Sequence, residues 1–501
     1  MNIMMLLEMA AQGLGDRVAF VNGDQRLTYQ DLYNAAGAAA EEIKASGCDY
    51  AAVLDVSSLA VPIGLFGASW AGVPYVPLNY RLTGDELDAL LERIYPAYLV
   101  TEADRVGKLT HHSDVKLTTR EDFLAKARSG TPGDPSWSMD AEDIAILLFT
   151  SGTTGAPKAA VLRHKHLVSY ILTTVEFAAA GPDDAALVCV PPYHIAGMAA
   201  ILSSVYSGRR VVQLPNFTAE EWIRVARAEK VTNAFVVPTM LSRIVEILEG
   251  EESAGLPSLK SISYGGGKMP QKVIERAMKL FPETDFANAY GLTETSSTIA
   301  LLGPDDHRNA VASDDEAVRR RIVSVGRPVP GIEVEIRDDE GKPLPAAQRG
   351  EIYVRGEQVS GEYVGRGSQL DKEGWFPTRD AGSVDKEGYL FLEGRADDVI
   401  VRGGENVSPG EIEDVLLEHE AVADAAVVGI PDEQWGEGVA AAVVLKSGKQ
   451  ASVEELQDWV KDALRSSRVP QVLEFRDELP YNETGKLLRR VVKAELSGDA
   501  S

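Results

Sequence analysis

Apolar and polar positions alternate in a regular way over most of the first 330 residues. Short apolar runs are followed by longer segments with helical spacing and then by another short run. Ala51-Ala52-Val53-Leu54 leads into a helical stretch from Leu59 to Gly72 and then Val73-Pro74-Tyr75-Val76-Pro77-Leu78. The unit recurs as Leu187-Val188-Cys189-Val190, a helical Ile195 to Val205, and Arg210-Val211-Val212-Gln213-Leu214. Short runs bounded by helices read as strands buried on both faces, so the alternation predicts α/β layers with mainly parallel strands. The pattern repeats, but the sequence does not. Met1 to Gly13 is apolar and Met-rich, lacks a basic start and carries Glu8, which predicts an amphipathic first helix rather than a signal peptide.

From about Val323 the texture changes to short alternating strands separated by turn signals. Gly331-Ile332-Glu333-Val334-Glu335-Ile336, Asp338-Asp339-Glu340-Gly341 and Gly350-Glu351-Ile352-Tyr353-Val354 predict a small antiparallel sheet or barrel. After Gly394-Arg395-Ala396-Asp397-Asp398 about a hundred residues remain, enough for a unit with its own core. Ser408-Pro409-Gly410-Glu411 reads as a capping box opening a helix through Ile412, Val415 and Leu416. Strand-like runs Ala425-Ala426-Val427-Val428 and Val439 to Leu445 flank Trp435, and a second helix covers Val453 to Leu464. The predicted organisation is a large α/β N-terminal domain, 1–396, with a β-rich subdomain at about 323–396, and a small α+β C-terminal domain, 397–501. In the tail, Lys486, Arg489, Arg490 and Lys493 carry no acid between them, which fits a solvated helix face as well as an anion-facing surface.

Bulk numbers narrow the function classes. At 501 residues the chain exceeds one ordinary core, and 45% apolar content fills two or more. Fifty basic against 76 acidic residues give a net charge of −26, which disfavours nucleic acid and anionic membrane as general partners. A polyanionic substrate must then be attracted locally. Two cysteines, Cys48 and Cys189, make no disulfide framework, and a reducing, cytoplasmic location is expected. No stretch reaches the roughly 18 uninterrupted apolar residues of a membrane span.

Candidate chemistry concentrates in Thr150-Ser151-Gly152-Thr153-Thr154-Gly155-Ala156-Pro157-Lys158. The segment lies between the apolar runs Ile144 to Phe149 and Ala159 to Leu162, so a strand delivers it. Glycines let backbone N–H groups approach an anion, hydroxyls add donors, and Lys158 supplies a compact positive charge. That combination suits a polyphosphate. It is not a Walker A loop, because Pro157 separates Gly155 from the lysine. A second cluster, Tyr290-Gly291-Leu292-Thr293-Glu294-Thr295, offers an aromatic to stack on a base, a hydroxyl for phosphate and a carboxylate for Mg²⁺.

Together these segments resemble the adenylate-forming superfamily, and within it the acyl-CoA synthetases. Further motifs follow in the family's order: Pro191-Pro192-Tyr193-His194-Ile195-Ala196-Gly197, Gly265-Gly266-Gly267, Thr378-Arg379-Asp380, Gly394 to Asp398, Arg402-Gly403-Gly404-Glu405-Asn406 and Pro480 to Lys486. The resemblance implies an acid–thiol ligase that uses ATP, Mg²⁺ and CoA. A carboxylate attacks the α-phosphate of ATP, pyrophosphate leaves, and the acyl-adenylate passes to a thiol. By the same resemblance Lys486 bridges carboxylate and α-phosphate, while Thr150, Ser151, Gly152, Thr153, Thr154, Gly155 and Lys158 hold the β- and γ-phosphates. Glu294, with Thr150, binds Mg²⁺; Thr293 contacts phosphate; Tyr290 stacks on adenine; Gly265, Gly266 and Gly267 let base and acyl group lie close; Asp380 and Arg395 hold the ribose. His194, Ile195, Gly197, Met198 and Val237 line the acyl pocket. Asp397 is the hinge of a swinging C-terminal domain, and Gly403, Gly404 and Trp435 face CoA.

An aspartate would stand near His194 in a member that activates amino acids, so a nonpolar acid is the expected substrate. Three departures stand out: Arg379 where the family has glycine, Lys268 where a small residue or proline is common and where a solvated side chain is expected, and Ser467-Arg468 in place of an aromatic–lysine pair. The last leaves two alternatives beside CoA: the phosphopantetheine of an acyl carrier protein as acceptor, or a regulator that binds nucleotide without turnover.

Overall fold

Two large sheets form the N-terminal part. One has nine strands in the spatial order Arg327–Pro328, Ser297–Leu302, Asp285–Leu292, Ser261–Gly265, Asn233–Val236, Ala185–Val188, Arg210–Gln213, Val18–Asn22 and Gln25–Thr28. Its six middle strands are parallel, and the strands at both edges are antiparallel. The other has eight, in the order Gly367–Ser368, Glu362–Tyr363, Lys158–Arg163, Ile144–Thr150, Tyr75–Pro77, Tyr50–Leu54, Ala97–Thr101 and Val115–Thr119. From Ile144–Thr150 to Val115–Thr119 its pairs are parallel. The computed structural model describes residues 1–82, 84–106, 109, 114–150, 157–338, 340–395, 398–402, 405–432, 434–464, 466–481 and 487–498, with Glu405 and Asn406 described by backbone alone.

The helix Ala60–Ala71 is buried along nearly its whole length, as its apolar residues on every face require of a helix inside a layered core. Tyr29–Ser46 shows the opposite pattern, with buried Leu32, Ala36, Ala40 and Ile43 on one side and a capping box at Thr28 and Asp31. The expected first helix spans Met4–Leu14 and buries Met4, Leu6, Leu7 and Ala10. The Ile3 N–H anchors its start by donating to His164 Nδ1 at 3.2 Å. Burial pulls the pKa of His164 down to about 4, which keeps that nitrogen an acceptor at neutral pH. Both cysteines are free and buried. Among the described residues no helix is long and apolar enough to cross a membrane.

In the nine-stranded sheet the chain leaves Ala185–Val188 through the helix Ile195–Ser207 to Arg210–Gln213 on one side. It returns through Ala219–Ala228 to Asn233–Val236 on the other. The order reverses about Ala185–Val188, and such a reversal opens a crevice at the carboxyl ends of parallel strands.

The small antiparallel sheet consists of Glu333–Arg337, Gly350–Arg355, Phe376–Val384 and Leu390–Arg395. It starts later than the change in sequence texture near Val323, because Arg327–Pro328 still extends the nine-stranded sheet. Ile336, Ile352, Val354, Phe376 and Leu390 share one core cluster with Tyr290, Ile299 and Ala300, which fastens this sheet to the edge of the larger one.

The C-terminal sheet runs Glu405–Val407, Ile400–Arg402, Gly436–Leu445 and Val422–Asp432, with Val472–Arg476 parallel to Gly436–Leu445. Val427, Ala441 and Val443 face one cluster with Ile412, Leu416, Leu456 and Val460. Ala426, Val428, Ala440 and Ala442 face another with Val492 and Leu496. The alternation of adjacent residues between two faces is what a strand's period of two imposes. The helix Pro409–Glu418 forms as expected, but Ser408 does not cap it. Its hydroxyl donates instead to the Glu393 carbonyl at 3.0 Å, tying the helix start to the small sheet. In the basic tail, Arg489 pairs with Glu413 and Lys493 with Glu437, so both charges are met within the C-terminal unit.

Candidate active site

Parallel strands deliver their following loops to one edge of the nine-stranded sheet. Ala185–Val188 leads to Pro191–Gly197, Asn233–Val236 to Val237 and Pro238, Ser261–Gly265 to Gly266 and Gly267, and Asp285–Leu292 to Thr293 and Glu294. Gly265 sits opposite Ala289 on the neighbouring strand, and a Cβ there would stand 2.1 Å from the Ala289 carbonyl oxygen. Closure of the strand pair therefore requires this glycine. Gly266 and Gly267 are exposed beyond it, against Val237 and Pro238.

The polyphosphate candidate is a hairpin. Ile144–Thr150 pairs antiparallel with Lys158–Arg163, closing at Thr150 and Lys158, and the Thr150 hydroxyl donates to the Lys158 carbonyl at 3.4 Å. Ser151, Gly152, Thr153, Thr154 and Gly155 lie outside the described residues. The Lys158 ammonium stands 5.5 Å from the centre of the Tyr363 ring, and the Tyr363 hydroxyl donates to Glu294 Oε1. Burial, and then the Glu294 carboxylate, push the Tyr363 phenol well above its ordinary pKa, so it stays protonated and donates. Thr293 and Glu294 occupy the short turn Thr293–Thr295, and Ser296 and Ser297 follow at φ of +56° and +116°. Two successive non-glycine residues in that region mark stored strain where the backbone turns to present Glu294. Tyr363 carries no signal in the sequence, since its partner is 69 residues away.

Asp380 is buried, and both of its oxygens are engaged: Oδ2 accepts from the Tyr290 hydroxyl at 2.6 Å and Oδ1 from Arg395 at 2.9 Å. Tyr290 packs in the core with Ile299 and Val325, and what the structure shows of it is the orientation of Asp380. Each carboxylate oxygen has two acceptor positions, which leaves room for hydroxyl donors from a ligand. Arg379, the unexpected neighbour, sits at φ +63°. Its side chain is 60% exposed and lies 3.9 Å from Glu351, directed to solvent. A non-glycine residue there costs roughly 1–2 kcal/mol, of which glycine's greater freedom in the unfolded chain would return about half. Arg379→Gly is accordingly expected to raise stability by about 0.5–1 kcal/mol in denaturant unfolding, and a loss of stability would contradict the strain argument.

His194 occupies the N-cap position of the helix Ile195–Ser207, its ring 4.5 Å from that of Tyr193. Its Nε2 is buried and has no hydrogen-bond partner among the described residues. Burial, aided by Arg81, lowers its pKa to about 4, so the ring is neutral at physiological pH. Ile195 is partly buried and Val237 is 9% exposed at the next loop. Met198 is fully buried in the main core, and Gly197 lies against the Pro191 carbonyl, 2.8 Å from where its Cβ would be.

Lys268 is not free in solvent. Its ammonium donates to the Gly410 carbonyl at 3.1 Å and to Asp414 at 2.6 Å, and Lys272 donates to the Glu418 carbonyl at 3.0 Å. The segment after the glycine triplet thus grips the first helix of the C-terminal unit. Ser467 and Arg468 also have work there: the Ser467 carbonyl accepts from Arg402 at 2.6 Å, and Arg468 lies 3.5 Å from Glu411. Trp435 is 43% exposed at the tip of a hairpin, with the Arg402 guanidinium 5.8 Å from its ring. Asp397, Gly403, Gly404 and Lys486 lie outside the described residues.

The AMP-binding enzyme family matches residues 7–364, and its C-terminal domain matches residues 411–486. The chain belongs to the AMP-binding enzyme family. A fatty acid–[acyl-carrier-protein] ligase, ScoC, from Streptomyces coeruleorubidus is 33% identical over 95% of this chain and 92% of its own length. A 2-succinylbenzoate–CoA ligase from Bacillus licheniformis is 32% identical over 96% of this chain and 98% of its own. O-succinylbenzoate coenzyme A synthetase from Bacillus subtilis in complex with ATP and magnesium superposes with a TM-score of 0.85 at 29% identity, covering 97% and 98% of the two chains. Its unliganded form gives 0.79 at 25% identity over 94% and 99%. The family's two-part α/β architecture is the one seen here.

Among the described residues no group of three or more His, Cys, Asp or Glu side chains could hold a metal ion. Mg²⁺ is commonly held by one or two carboxylates together with substrate phosphates, and the Glu294 carboxylate, which shares Tyr363 with Lys158, has the oxygen chemistry for that.

Proposed function

We propose that the chain is an ATP- and Mg²⁺-dependent acid–thiol ligase that converts a nonpolar carboxylic acid to its acyl-adenylate and then to its CoA thioester, releasing AMP. The observation that carries this reading is the pairing of two preformed subsites. Lys158 and Glu294 flank one tyrosine at the phosphate hairpin, and Asp380 is fixed by Tyr290 and Arg395. The first suits a metal-bound triphosphate and the second suits ribose hydroxyls.

In the first half-reaction a carboxylate oxygen bonds to the α-phosphorus as the bond to the β-phosphate oxygen breaks, and pyrophosphate departs. Both reactants are anions, so catalysis rests on positioning and charge compensation. Mg²⁺, when bound, neutralises phosphate charge. Lys158 offsets charge on the departing pyrophosphate, Asp380 orients the nucleoside through its ribose, and Lys486 bridges carboxylate and α-phosphate. In the second half-reaction the CoA sulfur attacks the acyl carbonyl and AMP leaves with the electron pair of the acyl–oxygen bond.

One lysine cannot serve both steps from one place, so the C-terminal unit, 397–501, turns about Asp397 and brings Gly403, Gly404 and Trp435 to the acyl-adenylate. The arrangement seen here is read as the first of these two orientations. Lys268 and Lys272 hold that orientation through the helix Pro409–Glu418.

A neutral His194 beside Ile195 and Val237 brings neither the carboxylate that a substrate ammonium requires nor a fixed positive charge. A fatty or aromatic acid is the substrate class this pocket suits. The test is pyrophosphate release over a panel of fatty, aromatic and amino acids, with CoA or with a phosphopantetheine-bearing carrier protein. Turnover is expected with a nonpolar acid and CoA. A requirement for an α-amino group, or thioester formation on the carrier protein alone, contradicts the proposal.

A further inference from the structure

The strand Glu362–Tyr363 ties together two parts of the site that the sequence separates by more than a hundred residues. Tyr363 pairs with Ala160 on the return strand of the phosphate hairpin, and Val364 N–H donates to the Ala159 carbonyl at 2.9 Å. Ser360 and Gly361 N–H groups donate to the Glu294 carbonyl at 2.8 and 3.1 Å. Arg163 fastens the same strand through a two-point contact with Glu362, at 3.0 and 2.7 Å. The strand that carries Tyr363 is therefore held from both sides, and the ring itself is anchored at its hydroxyl by Glu294, so little freedom remains to be lost when a ligand arrives.

What that ring separates is a cation and an anion. Lys158 lies over it at 5.5 Å and Glu294 accepts from its hydroxyl. Direct attraction between an ammonium and a carboxylate exceeds cation–π attraction several-fold, so without the ring the two charges would pair with each other. A paired lysine no longer offers its charge to a phosphate, and a paired glutamate no longer offers its charge to a metal.

We propose that Tyr363 is a positioning residue of the metal–triphosphate subsite: its ring keeps Lys158 and Glu294 apart, and its hydroxyl fixes Glu294 so that Oε2 is turned to the cation. The proposal rests on the reading of Glu294 as the Mg²⁺ carboxylate. The hydroxyl sets the metal requirement, whereas the ring sets whether the two charges are available at all.

Calorimetric binding of Mg²⁺–ATP to the full chain without acid, beside acid-dependent pyrophosphate release titrated with Mg²⁺ at fixed ATP, tests it with three variants, the Mg²⁺ requirement being read from both. Tyr363→Phe keeps the ring and is expected to raise the half-saturating Mg²⁺ concentration by roughly five- to tenfold, with kcat recovering to within about threefold at saturating Mg²⁺. Tyr363→Leu is expected to lose more than about tenfold in kcat without rescue by Mg²⁺. Glu294→Gln reports on the underlying reading and is expected to raise the Mg²⁺ requirement further than Tyr363→Phe. An unchanged Mg²⁺ requirement in Tyr363→Phe, alongside a raised one in Glu294→Gln, overturns the role of Tyr363 and leaves Glu294 in place. A Tyr363→Phe loss that is equal at every Mg²⁺ concentration overturns it as well, since a merely structural tyrosine behaves so. An unchanged requirement in Glu294→Gln overturns the reading of Glu294 itself. If Tyr363→Leu does not fold, Tyr363→Phe decides alone.

Discussion

Replacing Lys486 by alanine is expected to lower acid-dependent pyrophosphate release by about 10²- to 10³-fold, the usual cost of removing one preorganised stabilising group from a transition state. The carboxylate and the triphosphate repel each other, and the cation between them is needed only while the bond to phosphorus forms. In the second step no such repulsion is present. Transfer from a supplied acyl-adenylate to CoA should therefore stay within a few-fold of the unaltered protein. The pair of measurements is pyrophosphate release on one hand and thioester formation from the synthetic adenylate on the other. Equal losses in both would contradict a lysine that serves one half-reaction and then withdraws.

The second large effect is expected at Asp380. Alanine there leaves the Tyr290 hydroxyl, buried in the core, without its 2.6 Å acceptor and Arg395 without its 2.9 Å counter-charge. Breaking a buried pair by removing one partner costs about 3–5 kcal/mol, and the partial exposure of Arg395 lowers this to about 2–3 kcal/mol. Asp380→Ala should therefore lower the unfolding midpoint of the unit that contains it and raise the KM for ATP by at least about tenfold, as ribose contacts are lost. Asp380→Asn retains an acceptor for Tyr290 and should lose less stability. If Asp380→Ala keeps full stability, the three groups are not coupled as their geometry requires.

Much of this fold is legible from the order of apolar runs. The strands Tyr50–Leu54 and Arg210–Gln213 fall where continuous apolar residues predict them, because a strand covered on both faces has no other way to be written, whereas Ala185–Val188 begins two residues before the run Leu187 to Val190. Local rules fail where a partner is distant. Ser408 has the residue type of a helix cap, yet its hydroxyl finds the Glu393 carbonyl from another sheet. Lys268 reads as a surface lysine, and only the packing of the helix Pro409–Glu418 gives it two acceptors. Near Asp380 the sequence singles out Arg379 as out of place, while the backbone shows the reason: a residue at φ +63° whose side chain leaves the site. Tyr363 stands furthest from any motif. Its contacts with Lys158 and Glu294 join segments far apart in the chain, which no local spacing encodes.

The acyl side is less legible for a physical reason. A polyphosphate demands particular donors at fixed places, whereas an apolar chain asks only for volume and dryness. Ile195 and Val237 keep some surface near the strand ends, whereas Met198, expected to line the pocket, is fully buried in the main core, because its helix face packs inward.

The central claim is that a carboxylate oxygen forms a bond to the α-phosphorus of ATP before any thiol reacts. Turnover of an acid whose carboxylate carries ¹⁸O, with ATP, Mg²⁺ and CoA, followed by mass spectrometry of the products, tests it most directly. One labelled oxygen is expected in AMP for each thioester formed, and none in pyrophosphate. Label in inorganic phosphate, with ADP as the nucleotide product, would contradict it.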